Sequence, residues 1–133
     1  MEYDAHGNAQ LANLTYDATN PFRLKTVGGA TVTYDANGSL ATGPNVTYTY
    51  APGNRLASVT AGTTTTQYKY DADDWRLKKD VQGGEVHYYV RGPNGALLED
   101  WWNNRPDGKA EVRDYVYAGS RLIAVVKTTQ DPK

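Results

Sequence analysis

The sequence contains no cysteine, one methionine, one phenylalanine and two histidines among its 133 residues. Without cysteine, the chain has neither a disulfide framework nor a thiol nucleophile. No apolar run approaches the length of a membrane-spanning helix, and the N-terminal residues lack the apolar stretch of a signal peptide. Because the chain starts and stops within a repeating pattern, we expect it to be a segment of a longer protein.

A strong net charge is also lacking, since 14 basic residues are balanced by 15 acidic ones and the formal net charge is −1. The basic residues are scattered along the chain rather than clustered. Nucleic-acid-binding proteins usually carry a basic patch or stripe that attracts phosphates. The sequence therefore predicts no binding of nucleic acid.

Motifs for catalysis or metal binding are scarce. His6 and His87 lie in no H-x-H or H-E-x-x-H motif, and His87 is expected to be an ordinary surface or edge histidine within a strand. Asp71, Asp73 and Asp74 form an oxygen-rich loop, but the loop lacks the glycine and distal glutamate of an EF-hand. These carboxylates are expected to bond backbone amides. We therefore predict that the chain is not an enzyme and binds no metal or cofactor.

The sequence has 11 tyrosines, and most of them are the first residue of the same short sequence motif. In each copy a tyrosine ends an alternating run, a polar turn with Asp, Asn or Gly follows, and a leucine opens the next run. Alternation predicts half-buried strands, and Asp, Asn and Gly are typical of tight turns. We recognise about seven degenerate copies, and their structural residues are Tyr3, Asp4, Gly7, Tyr16, Asp17, Leu24, Tyr34, Asp35, Gly38, Leu40, Tyr50, Leu56, Tyr70, Asp71, Leu77, Tyr89, Leu97, Tyr117 and Leu122.

A second kind of turn, marked by Gly28-Gly29 and Gly83-Gly84, alternates with the tyrosine turns. Alternating turns at two ends predict an all-β fold, an up-and-down antiparallel meander of about a dozen strands. A sheet of that many strands would be on the order of 55 Å wide, and twisted sheets of that width curl. We expect one curved domain over residues 1–133.

The alternation also predicts two different faces. Tyr68 and Tyr70 point opposite to Lys69, so one face should be aromatic and aliphatic and the other mostly Thr, Lys and Asp. A short ribbon of this kind leaves open edges and apolar surface that is only partly covered. We therefore expect the chain to form a dimer or a higher oligomer.

The phrases Y-D-x-x-G-x-L and Y-D-x-x-x-R-L at this spacing resemble the YD repeat of Rhs proteins, which teneurins and the shell components of bacterial toxin complexes share. The resemblance covers essentially the whole chain. The segment from Arg113 to Ala124 is similar to the one that leads into the Rhs-associated core, but the glycine-rich and Asp-Pro motifs of that core have no match here.

This resemblance implies a β-hairpin ribbon that spirals into a hollow shell and encloses a C-terminal toxin until delivery. It also implies a bacterial source and a secreted or surface-delivered protein, whose partners are the rest of the shell and the toxin. The catalytic parts of the family are the self-cleavage aspartates of the core and the variable toxin. Neither matches any segment of this chain, so no catalytic residue is carried over.

Three tryptophans, Trp75, Trp101 and Trp102, are candidates for contact with a ligand or partner. Adjacent indoles in a strand point to opposite faces, so Trp101 or Trp102 should lie on the polar face unless a bulge intervenes. An exposed indole beside Asn and Asp could stack on a sugar ring. The alternative function is therefore a cell-surface carbohydrate- or partner-binding module. The competing interpretation is that one indole fills the core and the other covers an edge strand or an oligomer contact.

Overall fold

β-Strands connected by turns and bends form the part of the chain that the computed structural model describes, residues 2–3, 5, 9–10 and 13–130, and no helix occurs among these residues. The strands are β1 (Glu2–Tyr3), β2 (Ala9–Gln10), β3 (Leu14–Tyr16), β4 (Leu24–Val27), β5 (Ala30–Thr31), β6 (Thr33–Tyr34), β7 (Leu40–Gly43), β8 (Val46–Ala51), β9 (Arg55–Ala61), β10 (Thr64–Tyr70), β11 (Arg76–Val81), β12 (Val86–Arg91), β13 (Leu97–Asn103), β14 (Ala110–Ala118) and β15 (Arg121–Gln130). The predicted all-β class is confirmed. Among these residues no helix is long and apolar enough to cross a membrane.

Strand order follows chain order throughout. The sheets have the orders β1-β2, β3-β4-β5 and β15 to β6 without a crossover. Strands adjacent in a sheet run antiparallel wherever their register is defined, for example β13 with β14 and β14 with β15. The predicted antiparallel meander is therefore confirmed, with fifteen strands among the described residues instead of about a dozen.

Two compact units divide the chain, residues 1–63 and 64–133. The first contains β1 to β9, and the second contains β10 to β15. That residues 1–133 act as one domain stays a prediction. Of the first repeat copy, Tyr3 pairs with Ala9 in β1 and β2, whereas Asp4, His6 and Gly7 lie outside the described residues.

The strand register shifts by one residue at most of the tyrosine turns. It shifts between Thr15 and Tyr16, and likewise just before Tyr34, Tyr50, Tyr70 and Tyr117. In each case the extra residue lies on the partner strand, one position after the residue that pairs with the tyrosine, as in a β-bulge. Across the turn the tyrosine then pairs with the leucine of its own copy, in the pairs Tyr16–Leu24, Tyr34–Leu40, Tyr50–Leu56 and Tyr117–Leu122.

Two copies differ from the others in their pairing. In one, Tyr70 pairs with Arg76, and Leu77 is the next residue of the strand. In the other, the bulge lies between Val90 and Arg91, and Arg91 pairs with Leu97. Arg91 therefore occupies the position that was assigned to Tyr89. Alternation alone cannot reveal these one- and two-residue offsets, because a bulge breaks the period of two.

At the other end of the hairpins the turns are short. Gly28 and Gly29 both have positive φ, 58° and 80°, and they connect Val27 to its partner Ala30. Two central residues with positive φ are the requirement of a type I′ turn, whose twist matches that of paired strands. Glycine meets that requirement without steric cost.

Few of the described residues are buried. Val32 and Val112 are the buried hydrophobic residues of the described chain, and Asp100 and Glu111 are buried polar ones. Most apolar side chains of the described residues are only half-buried or exposed. Stability must therefore come from neighbouring strands and their side chains rather than from a central core.

Candidate functional site

Three tyrosine hydroxyls each join a repeat to the one before it. Tyr34 donates to the carbonyl oxygen of Leu24 at 3.1 Å, and Tyr50 donates to that of Leu40 at 2.9 Å. In the second unit, Tyr117 donates to the carbonyl oxygen of Leu97 at 3.0 Å. In all three cases the donor is the turn tyrosine of one copy and the acceptor is the leucine that opens the strand after the preceding turn. We name these three bonds the tyrosine ladder.

The aspartate that follows the turn tyrosine organises the turn itself. Oδ1 of Asp35 accepts hydrogen bonds from the backbone amides of Asn37 and Ser39 at 2.9 and 2.8 Å. Asp71 accepts in the same way from Asp73 and Trp75 at 3.0 and 2.8 Å. The prediction that the Asp71 carboxylate bonds backbone amides is confirmed.

Asp17 organises a turn of the same type, and its pKa is shifted by the hydrogen bonds it accepts. Backbone amides of Asn20 and Thr19 donate to its Oδ1 at 2.9 and 2.8 Å. These hydrogen bonds favour the ionised carboxylate and lower the pKa of Asp17 below its ordinary value of 3.8.

The described residues include no group of His, Asp and Glu side chains arranged to hold a metal ion.

Strands β12 to β14 carry the densest cluster of functional groups. Register pairs His87 with Trp102 and Trp102 with Glu111, and it pairs Tyr89 with Asp100 and Asp100 with Arg113. Paired residues on adjacent strands share one side of a sheet. We name this side the His87 face, defined by His87, Tyr89, Asp100, Trp102, Glu111 and Arg113.

On the His87 face, His87 is a packed residue, so the expectation of an ordinary surface or edge histidine is wrong. Its side chain is 12% exposed. The imidazole ring stacks on Trp102 and Tyr89, with ring centroids 5.1 and 6.0 Å apart. Its Nδ1 lies 3.2 Å from Oδ1 of the buried Asp100, and its Nε2 lies 3.7 Å from Glu85. The strand pattern placed His87 correctly on the side opposite Val86 and Tyr88, but it could not show which strand covers the ring.

Glu111 is the second buried carboxylate of this face. Arg113 and Arg105 both donate hydrogen bonds to it. The bond from Arg113, followed by that from Arg105, lowers the pKa of Glu111 below its ordinary value of 4.5, although burial opposes the shift. In return, the hydrogen bond to Glu111 raises the pKa of Arg113. Glu111 is thus an ionised anchor for two guanidinium groups.

Trp102 is covered from two neighbouring strands. His87 of β12 stacks on it, and the Arg105 and Arg113 guanidinium carbons lie 4.5 and 5.0 Å from its ring centroid. Cations attracted to the indole face in this way can contribute on the order of 1 kcal/mol each. This arrangement makes Trp102 a packing residue and leaves little of its ring for a ligand.

Trp101 lies on the opposite side of the sheet, as the alternation predicts. It pairs with Tyr88 and with Val112, and 41% of its surface is exposed. Further exposed apolar side chains share this side, which we name the Trp101 face: Tyr88, Val90, Val116 and Val126. The expectation that this face would be mostly Thr, Lys and Asp is wrong for strands β12 to β15.

Trp75 belongs to a turn and packs on the next turn of the same type. Its ring lies against Gly95, whose φ is +78°. The Arg91 guanidinium is 5.4 Å from the centroid of the ring and donates to the Gly95 carbonyl oxygen at 2.9 Å. Trp75 is 41% exposed, so it can combine turn packing with contact to a partner.

A shallow groove of about 200 Å³ lies at strands β10 and β11 and is lined by Thr65, Gln67, Asp80 and Gln82. The ammonium group of Lys78 lies 2.6 Å from Asp80, and this bond raises the pKa of Lys78. Asp80 is therefore already paired with a cation of its own strand.

The pattern did not predict the arginines that stack on aromatic rings. Arg23 lies 4.5 Å from the Tyr34 ring centroid, and Arg76 lies 5.3 Å from that of Tyr68 and 5.7 Å from that of Tyr89. Arg23 and Arg76 precede a leucine just after a turn, in the Arg-Leu phrase of the repeat. The Arg-Leu motif could have indicated that these arginines have a structural role, but the ring that each arginine contacts depends on the neighbouring strands.

Comparison with known proteins gives one distant similarity. No protein-family model matches the sequence. The chain is similar to the tRNA3(Ser)-specific nuclease WapA of Bacillus spizizenii, with 26% identity over 117 residues. The similar region covers 86% of this chain but 5% of that protein. The chain thus resembles a small part of a long bacterial protein that is named for a nuclease activity.

Proposed function

We propose that the chain is a structural repeat segment of an Rhs-type shell, a wall that encloses a C-terminal toxin and is itself non-catalytic. The tyrosine ladder carries this proposal. Three turn tyrosines, Tyr34, Tyr50 and Tyr117, each bond the main chain of the preceding copy at the same leucine position. Because these copies contact the preceding copy in the same way, repeats can be added in series, as in other repeat proteins.

The distant similarity supports this proposal. The chain resembles 5% of a much longer bacterial nuclease, which fits a scaffold segment whose catalytic part lies in another region of the protein. The Trp101 face also suits a wall, because Tyr88, Trp101 and Val116 expose apolar surface. Exposed apolar patches mark contact surfaces, and such a surface can hold a non-native chain without recognising a particular sequence.

Expression of the complete reading frame that contains this segment tests the proposal. Limited proteolysis should leave the region C-terminal to the repeats protected, whereas the same region expressed alone should be cut rapidly. Replacing the ladder tyrosines, as in the Tyr50→Phe, Tyr117→Phe double variant, should speed cleavage of the enclosed region. A reading frame without further tyrosine repeats, or an enclosed region that is cut equally fast in both contexts, would exclude the shell.

A carbohydrate-binding module is the second candidate, favoured by the exposure of Trp101 and Trp75, each 41%. Trp101 lies opposite Tyr88 in the sheet on one face, and exposed aromatic rings suit the apolar side of a sugar. Titration with a set of glycans, followed by tryptophan fluorescence, should then show saturable quenching. Trp101→Ala should abolish the quenching with the fold intact. The matched variant Trp102→Phe should keep it, because Trp102 is covered by His87 and two arginines. Absence of saturable quenching in the wild-type protein excludes this candidate.

A further inference from the structure

Two carboxylates lie among the exposed apolar side chains of the Trp101 face. Glu99 and Asp114 are paired residues of β13 and β14. They share the side of the sheet that carries Trp101, because residues two positions apart on a strand point the same way. On the flanking strands Glu99 pairs with Val90, and Asp114 pairs with Val126. Apolar and aromatic surface therefore surrounds this acidic pair.

No cation of the described chain balances the acidic pair. Among the described residues, neither Glu99 nor Asp114 forms a hydrogen bond or an ion pair through its side chain. Lys78, which lies on the same side in β11, is bonded to Asp80 at 2.6 Å. Like charges directly opposite each other destabilise a strand pair. A cation bound between the two carboxylates would remove that repulsion.

The opposite side of the same strands shows how this chain satisfies such groups. There Trp102 pairs with Glu111, and Arg105 and Arg113 both donate hydrogen bonds to that carboxylate. Their guanidinium carbons lie 4.5 and 5.0 Å from the centroid of the Trp102 ring. A guanidinium suits this setting because it bonds carboxylates and also stacks on aromatic rings. The Trp101 face has the indole and the carboxylates, but no arginine of the described chain contacts them.

Exposure and charge together specify the missing group. Tyr88, Trp101 and Val126 are 44%, 41% and 51% exposed, and exposed apolar patches mark contact surfaces. A lysine would supply only a compact, strongly hydrated charge, whereas an arginine would also stack on the rings. Apolar residues beside that arginine would cover the valines. The face therefore fits a polypeptide segment that carries an arginine between apolar side chains.

A second copy of this chain is a poor source of that arginine. Most of its arginines already contact a ring, a carboxylate or a carbonyl oxygen of their own chain, namely Arg23, Arg55, Arg76, Arg91, Arg105 and Arg113. The net charge of −1 also gives a second copy no excess of cations. In the proposed shell, the polypeptide that lies against the wall is the enclosed chain.

We propose that the Trp101 face binds arginine side chains of the enclosed chain. The guanidinium donates hydrogen bonds to Glu99 and Asp114 and stacks on Trp101, and the neighbouring apolar side chains pack on the valines of the face. The preference is for one residue type in an apolar context and not for one sequence. This inference rests on the proposed shell function and adds which side chains hold the enclosed chain.

A short peptide tests this chemistry on the purified protein. Its sequence alternates leucine and serine around a central arginine, and the matched control peptide has citrulline there, which keeps the shape without the charge. Amide chemical shifts follow both titrations. We expect saturable shifts at Tyr88, Glu99, Trp101 and Asp114. The citrulline peptide should bind about three- to tenfold more weakly, because it loses the charge-assisted hydrogen bonds.

Two substitutions of the same kind separate this face from the rest of the surface. Asp114→Asn keeps the shape of the side chain and should remove most of the preference for arginine over citrulline. It also relieves a like-charge contact, so it should not destabilise the sheet. Asp73→Asn removes a charge from an exposed turn position and should keep the preference.

Three results with the peptides would overturn the proposal. The first is equal affinity for the arginine and citrulline peptides. The second is the same set of shifts produced by calcium chloride alone, which would make a metal ion the occupant. The third is the same set of shifts produced by raising the protein concentration without peptide, which would make a second copy the occupant.

The complete reading frame tests the source of the arginine. In limited proteolysis, Asp114→Asn should speed cleavage of the enclosed region by about two- to fivefold, the effect of one partly exposed ion pair. Asp73→Asn should leave the rate unchanged. A region that is protected in the wild type and equally protected in Asp114→Asn would refute this inference and leave the shell in place. A region that is unprotected in the wild type would refute the shell itself, and with it the enclosed chain as the occupant.

Discussion

Removal of one tyrosine hydroxyl tests whether the ladder stabilises the protein. In the Tyr117→Phe variant the ring and its packing remain, but the 3.0 Å hydrogen bond to the Leu97 carbonyl oxygen is lost. The matched control is Tyr115→Phe in the same strand and on the same side of it. Among the described residues, the Tyr115 hydroxyl has no hydrogen bond to the chain. The two variants therefore differ in the bond and not in the chemistry of the substitution.

The expected magnitude follows from the half-buried position of Tyr117. A neutral hydrogen bond of this kind contributes a net stability of about 1 kcal/mol, because folding exchanges it for bonds to water. Tyr117→Phe should lower the free energy of unfolding by about that amount, and Tyr115→Phe should change it by less than about 0.5 kcal/mol. With a urea dependence of about 1–3 kcal/mol per molar, the midpoint for Tyr117→Phe should fall by about 0.3–1 M.

Urea unfolding followed by tryptophan fluorescence is the appropriate assay, because all three tryptophans lie in the second unit with Tyr117. The urea dependence should stay unchanged, so that the midpoint shift reports stability alone. The pair Tyr50→Phe and Tyr48→Phe repeats the comparison in the first unit, followed by far-ultraviolet circular dichroism. Equal midpoints for both members of each pair would show that the ladder bonds add nothing and would refute the reasoning.

Two further predictions concern turn packing and charge. Gly95→Ala should cost about 2–4 kcal/mol of unfolding free energy, because a methyl group would lie 2.8 Å from Trp75 Cε2 in a residue with φ of +78°. Gly83→Ala is the control, because Gly83 has a similar φ of +70° but a methyl group added there would lie within 4 Å of no other atom. This variant should lose only about 1–2 kcal/mol of unfolding free energy in the same urea assay. Because Arg113 lowers the pKa of Glu111 below 4.5, the stability from Glu111 is complete above that pH and is lost as pH falls through the lowered pKa. Glu111→Gln should therefore flatten the acid side of the plot of urea midpoint against pH, and an unchanged acid limb would contradict this.

The local sequence predicts well where the turns lie and which backbone amides their aspartates bond. An aspartate such as Asp35 can reach only the amides of the next few residues, and it does bond Asn37 and Ser39. The alternation of side chains similarly predicted that Trp101 and Trp102 point to opposite faces. In both cases the decisive atoms lie within a few residues of one another.

Interactions between distant residues were not predictable in this way. The burial of His87 depends on Trp102, which is fifteen positions away, and on Asp100 of the same neighbouring strand. The acceptor of the Tyr117 hydroxyl lies twenty residues earlier. Each contact depends on strand register, and a bulge of one residue beside the turn shifts that register.

The sequence by itself determined the all-β class, the reversals at each tyrosine phrase and the antiparallel order, because these depend on short-range alternation and turn chemistry. Only the tertiary structure decided that Arg91, and not Tyr89, occupies a turn position, and which carbonyl oxygen each tyrosine hydroxyl meets. It also decided that β15 remains an open edge among the described strands. The physical reason is that pairing between strands sets these contacts, and pairing joins residues that the local pattern treats independently.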